Sequence, residues 1–333
     1  MSNKVDILED NIREQYPDVL NTLLCDHTTQ NNIFWATHNY TDLGENYKYN
    51  APIYPELITG EHKDIIVSRV KKDANLQQIR VRDMGEVFTP SWICNAQNNL
   101  IDQAWFGRKN VFNKEITNKN GKHSWKINPD KITFPEGKTW KHYVRDTRLE
   151  MTCGEAPYIT SRYDITTGEY IPLENRIGFL DRKLRVINEN VETTGEWLDA
   201  TQVAYKSTYA FEWQGDSLLL AREAMLSTFI ENYTQKFQKP PLLKSIQYIA
   251  YIISWNVWQM DGLKGVVPDS CSEKPCCQLE LFDTQQIKYC EGCKNGNIRQ
   301  HNGIYCQIKD WNNKDLSTNK KGRKIRFIDL LKK

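Results

Sequence analysis

The sequence predicts an α/β chain, a small sheet covered by helices. Two observations predict it. Short apolar strands ending in a turn recur at 149–151, 177–180 and 209–213, and helical spacing follows the last two. The stretches 217–237 and 242–260 are the strongest helices, the second apolar along nearly a whole face. No internal repeat is present.

The elements follow in order. Val5, Ile7, Leu8, Ile12, Val19, Leu20, Leu23 and Leu24 have helical spacing, broken at Pro17. Residues 36–64, rich in Asn, Tyr and Pro, read as loop. Ile65-Ile66-Val67 and Ile79-Arg80-Val81 each read as a short strand. Thr89 as cap and Pro90 in the first turn open a helix carrying Trp92, Ile93, Ala96, Leu100, Ile101 and Ala104. Residues 107–140 read as an extended, basic loop holding Trp125, Phe134 and Trp140. Helical stretches are expected at 182–190 and 194–209, and Trp255 and Trp258 on the last long helix read as core.

The formal net charge is +2, but its distribution is uneven. Residues 1–64 hold four Lys/Arg against eleven Asp/Glu, residues 104–148 eleven against four, and the last fifteen residues seven against one. Such asymmetry points to a polyanion meeting one face, with Lys119, Lys122 and Lys126 turned to double-stranded DNA. The competing account is two lobes that attract each other. No apolar run reaches the ~18 residues of a membrane span and no apolar signal core opens the chain, so a soluble, cytoplasmic protein is expected.

Six of the nine cysteines fall between residues 271 and 306, a pattern of metal ligation in a reducing compartment. The two-residue spacing of Cys290 and Cys293 brings both thiolates to one ion. Cys271, Cys290, Cys293 and Cys306 are the expected Zn²⁺ ligands of a ribbon or knuckle. Cys276 or Cys277 can replace Cys271, and His301 is a further candidate.

Three features mark a nucleotide-type cofactor site. Gly85-Glu86-Val87-Phe88-Thr89-Pro90 precedes a helix start, where backbone N–H groups bind anions. The strand at 149–151 runs into Cys153-Gly154, where glycine allows close ligand approach. Asp181 and Asp216 each follow an expected strand, the place where ligands bind on open α/β sheets.

These residues resemble a known family. Phe88-Thr89-Pro90 after Gly85-Glu86, then Leu149-Glu150-Met151-Thr152-Cys153-Gly154, is similar to the opening of the N6-adenine DNA methyltransferases. More closely, the segments 26–40, 85–102, 151–164, 176–190, 215–223 and 252–263 resemble the bacterial group called restriction endonuclease subunit M. The resemblance implies a Rossmann-like, S-adenosylmethionine-dependent methyltransferase fold and a role in restriction–modification or phage defence. It implies that Phe88, Thr89 and Pro90 contact the methionine part of the cofactor. Glu150, Thr152, Cys153 and Gly154 would surround its amino acid and ribose, Asp181 would face the ribose, and Asp216 the adenine amine.

Three departures stand out. Ala156 replaces the family's second loop glycine, and the gap from Gly154 to Asp181 exceeds the ~20 residues usual for such units. The Asn/Asp-Pro-Pro-Tyr/Phe segment that holds the target amine is missing, so catalytic residues are not assigned and an incomplete fold without its recognition domain is expected. The alternative function is a non-catalytic DNA-binding or scaffold subunit, or a truncated methyltransferase, that needs a partner chain for methyl transfer. A Mg²⁺ nuclease lacks any Pro-Asp…Asp/Glu-x-Lys arrangement. The expected organisation is an acidic helical and loop region at 1–84, the Phe-Thr-Pro segment with its basic insertion at 85–148, and the α/β core at 149–265. A cysteine-rich insertion at 266–311 and a basic segment at 312–333 follow.

Overall fold

Proline breaks the first helical stretch where the sequence requires it. In the computed structural model, which describes residues 9–272, 274–275, 287–314 and 321–331, α1 (Glu9–Gln15) gives way to α2 (Pro17–Leu24), with proline in the first turn. The expected start at Val5 lies outside the described residues. The two-residue strands β1 (Cys25–Asp26) and β2 (Asn31–Asn32) pair antiparallel, and short 3₁₀ turns and loop follow to residue 72. Ile65-Ile66-Val67 is bend and loop, not strand. Nor is 79–81 a strand: it lies inside α3 (Ala74–Met84), which Asp73 caps by accepting from Leu76 N and Gly85 ends at φ +63°. The β-branched pair misleads because the buried member is Arg80, while Val81 is exposed.

The next helix, α4 (Ser91–Phe106), begins one residue later than expected, with Pro90 rather than Thr89 at the cap position. Where sequence suggests a loop, β3 (Asn113–Thr117) and β4 (His123–Ile127) form an antiparallel hairpin, followed by the short helix α5 (Trp140–Arg145). Then come β5 (Arg148–Met151), α6 (Phe179–Asn190), α7 (Thr194–Lys206), β6 (Thr208–Glu212), α8 (Gly215–Phe237), α9 (Leu243–Asn256) and β7 (Val257–Gln259). Two expectations fail here. Residues 177–180 are the entrance to α6 rather than a strand, because Asp181 caps that helix by accepting from Gly178 N. The long helix expected to reach Met260 stops at Asn256, and its apolar continuation is β7.

Strands β5, β6 and β7 form one parallel sheet in that order, with α6 and α7 in the first crossover and α8 and α9 in the second. Beyond it the chain makes β8 (Lys274–Pro275) paired with β9 (Ile287–Lys288), α10 (Glu291–Asn295), and the antiparallel hairpin of β10 (Gln307–Lys314) and β11 (Lys321–Arg326). The structure is thus mixed helix and sheet, with several small sheets. Its larger core runs from Ile12 in α1 to Val257 in β7 and includes Trp35, Trp197 and Phe229. A smaller one packs Phe211 and Trp258 against Met260, Val267, Cys306, Ile308 and Phe327. Trp255 and Trp258 are both buried. No helix among the described residues is long and apolar enough to cross a membrane.

Buried ionic groups tie these layers together. Asp102 of α4 accepts from Arg148 at 2.8 Å, Arg182 at 2.5 Å and Tyr143 at 2.9 Å, joining β5, α6 and α5. Arg222 of α8 binds carbonyls instead: it donates to Leu23, Cys25, Ser254 and Val257, at the ends of α2 and α9. Burial without a direct carboxylate partner pulls its pKa down to about 10. Replacing Arg222 by Met leaves those carbonyls unpaired in the core and is expected to cost about 3 kcal/mol. Urea unfolding will show this as a lower midpoint at unchanged slope. A midpoint equal to the parent's rejects Arg222 as the tie.

Candidate functional site

Ligands on open parallel sheets bind beyond the carboxyl ends of the strands, and there the chain leaves a cavity of about 770 Å³. Its walls are the 85–89 segment, the ends of β5 and β6, and the 152–158 loop. Phe88, Thr89, Glu150, Thr152, Cys153 and Gly154, all expected at a cofactor, line it together.

Local backbone explains the shape. Thr152, Gly154 and Ala156 alternate through the left-handed region at φ +50°, +53° and +61°. Only the glycine adopts this without strain, and such strain is characteristic of ligand loops. A Cβ on Gly154 would meet Phe88 Cε1 at 3.1 Å, so the glycine also lets the Phe88 ring pack on the loop. The Arg69 guanidinium lies 4.8 Å from the centroid of that ring.

The cavity is acidic. Glu150, on β5, accepts from Ile159 N at 3.1 Å and Tyr158 N at 3.4 Å. Glu212, the last residue of β6, accepts from Gly154 N at 2.8 Å, Trp213 N at 2.9 Å and Gln214 N at 3.3 Å. Burial raises both carboxyl pKa values, partly offset by these N–H donors, and for Glu150 the nearby Glu212 charge adds to the rise. Neither has a cationic partner among the described residues. Glu86, the third acid, is held by Arg80 at 2.7 and 2.8 Å. No Lys or Arg lines the cavity.

Three expected residues stand elsewhere. Pro90 faces a neighbouring groove. Asp181 caps α6, accepting from Gly178 N at 3.0 Å and from Ser161 N and Oγ at 2.9 and 3.1 Å, and does not line the cavity. Asp216 lies in the first turn of α8, wholly buried, with Arg80 at 2.9 Å, Tyr40 at 2.8 Å and Lys72 at 3.5 Å. Burial opposes its charge, but Arg80, Lys72 and the Tyr40 hydroxyl outweigh it and hold the carboxyl below the usual range. The strand-end acid is Glu212, which sequence reasoning missed although it closes the alternating stretch from Thr208.

A second centre lies beyond the sheet. Cys271, Cys290, Cys293 and His301 bring four ligand atoms within 4.8 Å of one another, a Cys₃His cluster that can hold a metal ion. The Sγ atoms stand 3.6, 3.5 and 3.6 Å from His301 Nδ1. Metal bonds of 2.3 Å to sulfur and 2.0–2.1 Å to nitrogen give a tetrahedral S···N edge of about 3.6 Å. Gly292, between the two cysteines, allows this closeness, since a Cβ there would meet His301 Nδ1 at 2.6 Å. Cys306 is not part of the cluster: its Sγ donates to the Gln259 carbonyl at 3.3 Å inside the smaller core. Cys276 and Cys277 lie outside the described residues. Lys119 and Lys122 occupy the turn of the β3–β4 hairpin and Lys126 lies on β4, all exposed.

Comparison of the chain with protein-family models, with curated proteins and with solved structures finds no match in any of the three. Gly154→Ala tests the cavity wall. Its positive φ and the Phe88 contact are expected to cost about 1–2 kcal/mol in chemical unfolding. An unchanged midpoint would show that the loop relaxes freely.

Proposed function

We propose that the chain binds S-adenosylmethionine in the cavity at the ends of β5 and β6 and acts as an adenine-N6 DNA methyltransferase-like subunit on a Rossmann-like fold. One observation carries the cofactor assignment: two buried carboxyls that have no cationic partner among the described residues, and no Lys or Arg, in a nucleotide-sized cavity. Phosphate-bearing cofactors meet repulsion there, whereas a sulfonium, an ammonium, ribose hydroxyls and an exocyclic amine all suit carboxylate acceptors. When bound, the cofactor supplies a methyl group on a cationic sulfur. Glu212 has about four acceptor positions, three of them used by N–H groups, and the remaining one is available to a ribose hydroxyl. The Phe88 ring packs on the loop at Gly154, and that glycine gives access to the backbone.

Cation binding favours ionised Glu150 and Glu212, whose pKa values are raised in the free protein. Binding therefore expels protons, and affinity rises with pH through their titration. Calorimetry with S-adenosylmethionine is expected to show saturable binding, proton release, and at least a tenfold loss on Glu212→Gln. Absence of heat, or ATP binding as tightly, rejects the assignment. The missing Asn-Pro-Pro-Tyr/Phe segment favours a second reading of the same site: a cofactor- and DNA-binding subunit completed by a partner chain.

For the Cys₃His cluster we infer Zn²⁺, on the soft ligand set and the tetrahedral spacing. Elemental analysis of the full chain is expected to find one zinc, lost in Cys290→Ser and His301→Ala but kept in Cys306→Ser. Retention of zinc by His301→Ala would return the fourth position to another ligand.

A further inference from the structure

Beside the cofactor cavity, across the Phe88-Thr89-Pro90 segment, lies a groove of about 610 Å³ between the β3–β4 hairpin and residues 164–175. Thr89 lines the cavity, while Pro90 and Trp92 line the groove, so two neighbouring residues separate the spaces. Its walls carry aromatic rings from three places: Trp92 on α4, His123 and Trp125 on β4, and Tyr170. Trp92 is 36% exposed and stacks on the exposed His123 ring, centroids 4.0 Å apart and 17° from parallel. Trp125 is fixed by its Nε1–H, which donates to the Asn175 carbonyl at 2.8 Å. The Asp164 carboxylate is consumed by its own surroundings, accepting from Ser91 N, Thr166 N and Thr167 N, and Glu169 stands exposed.

The hairpin that forms one wall is electrostatically frustrated. Lys114 and Lys126 lie directly opposite each other across the strands, an arrangement that destabilises a hairpin by itself. Lys119 and Lys122 add two more ammoniums at its turn, and none of the four has an ion-pair partner among the described residues. Uncompensated cations beside exposed aromatic planes are what a single strand requires: phosphates meet lysines and each unstacked base finds a ring.

We propose that this groove binds single-stranded DNA, stacking an unpaired base against the Trp92–His123 pair while Lys122 meets the backbone. It rests on the cofactor assignment for one clause only, that the strand is thereby led to the methyl donor next door.

The test is anisotropy titration of a labelled single strand and its duplex, with no cofactor, over several salt concentrations. The single strand is expected to bind more tightly than the duplex and to quench 2-aminopurine placed in it. Trp92→Ala is expected to weaken binding about tenfold at an unchanged salt slope. Lys122→Gln is expected to lower that slope by about 0.7. His123→Ala, on the exposed hairpin, serves as the second probe if Trp92→Ala melts early. Folded variants at both ring positions with parental affinity overturn the proposal, as does equal binding of duplex with only the salt slope responding. Calorimetry with S-adenosylmethionine on the same proteins keeps the two assignments apart. Ring-dependent strand binding without cofactor heat leaves the groove standing and removes the cavity assignment, and the reverse pattern does the opposite.

Discussion

The cavity exists because one guanidinium is buried where three parts of the chain meet. Arg80 of α3 is inaccessible to solvent and donates to Glu86, Asp216, Gln214 and Ser217. Glu86 belongs to the segment that carries Phe88, Gln214 follows β6, and Asp216 and Ser217 open α8. A carboxylate in that first turn also meets the positive end of the helix dipole. Lys72 and the Tyr40 hydroxyl complete the shell, so both anions are neutralised although neither reaches water freely. Breaking such a buried network costs about 3–5 kcal/mol, a large part of an ordinary stability of 5–15 kcal/mol. The 85–89 segment is therefore held at the strand ends by ionic contacts from behind, which leaves its front face to the cavity.

That division of labour explains the contrast between the acids. Asp216 and Glu86 have partners and carry structure, whereas Glu150 and Glu212 face the cavity with backbone N–H groups alone. Repulsion between the latter two and strain at Thr152 and Ala156 both work against folding. The cost is concentrated around one space, where a cationic ligand would relieve the first. Ala156 shows how local the constraint is: its backbone keeps a conformation natural to glycine while its methyl group packs in the core.

Much of this was legible in the sequence, and its failures share a cause. The elements near 149–151, 209–213, 91–104 and 217–237 lie where the sequence puts them, although in two of them the apolar positions do not mark the buried face. β5 buries Arg148 and Glu150 and exposes Leu149 and Met151, and α4 buries Asn95, Asn98 and Asp102 and exposes Leu100 and Ile101. Periodicity fails where both sides are buried, as at Val257, where helix becomes strand inside an unbroken apolar run. It fails again at Arg80, since apolar patterning cannot announce a buried arginine whose partner is 136 residues away. Asp181 and Asp216 were plausible ligands by position but are spent on a helix cap and an ion network, while Glu212 needed the strand end located to the residue. Cys306 shares its alternating face with Ile308, the available sign that its thiol points to the core rather than to Cys290. His301 was a candidate beside the cysteines, but its preference over Cys306 was not legible, because its nearness to Cys271 depends on a return of the chain over 30 residues.

The metal cluster and the sheet are linked by the same return. Phe211 and Trp258 present one face of the sheet to a cover of Met260, Val267, Cys306, Ile308 and Phe327, all from chain that follows β7. This cover has few apolar side chains, and a metal ion held by the Cys₃His cluster would close the loop from Cys271 to His301 and remove much of the entropy opposing it. Among the described residues the cover stops short of β5. Leu149 and Met151, level with Tyr209 and Phe211 in the parallel register, remain 39% and 68% exposed. A parallel sheet is ordinarily covered on both faces, so this bare strip is a departure with a definite place. Met151 lines the cavity as well. The uncovered face and the cavity mouth are thus one continuous surface, apolar along β5 and acidic at its end, with the basic hairpin reached across the Phe88-Thr89-Pro90 segment.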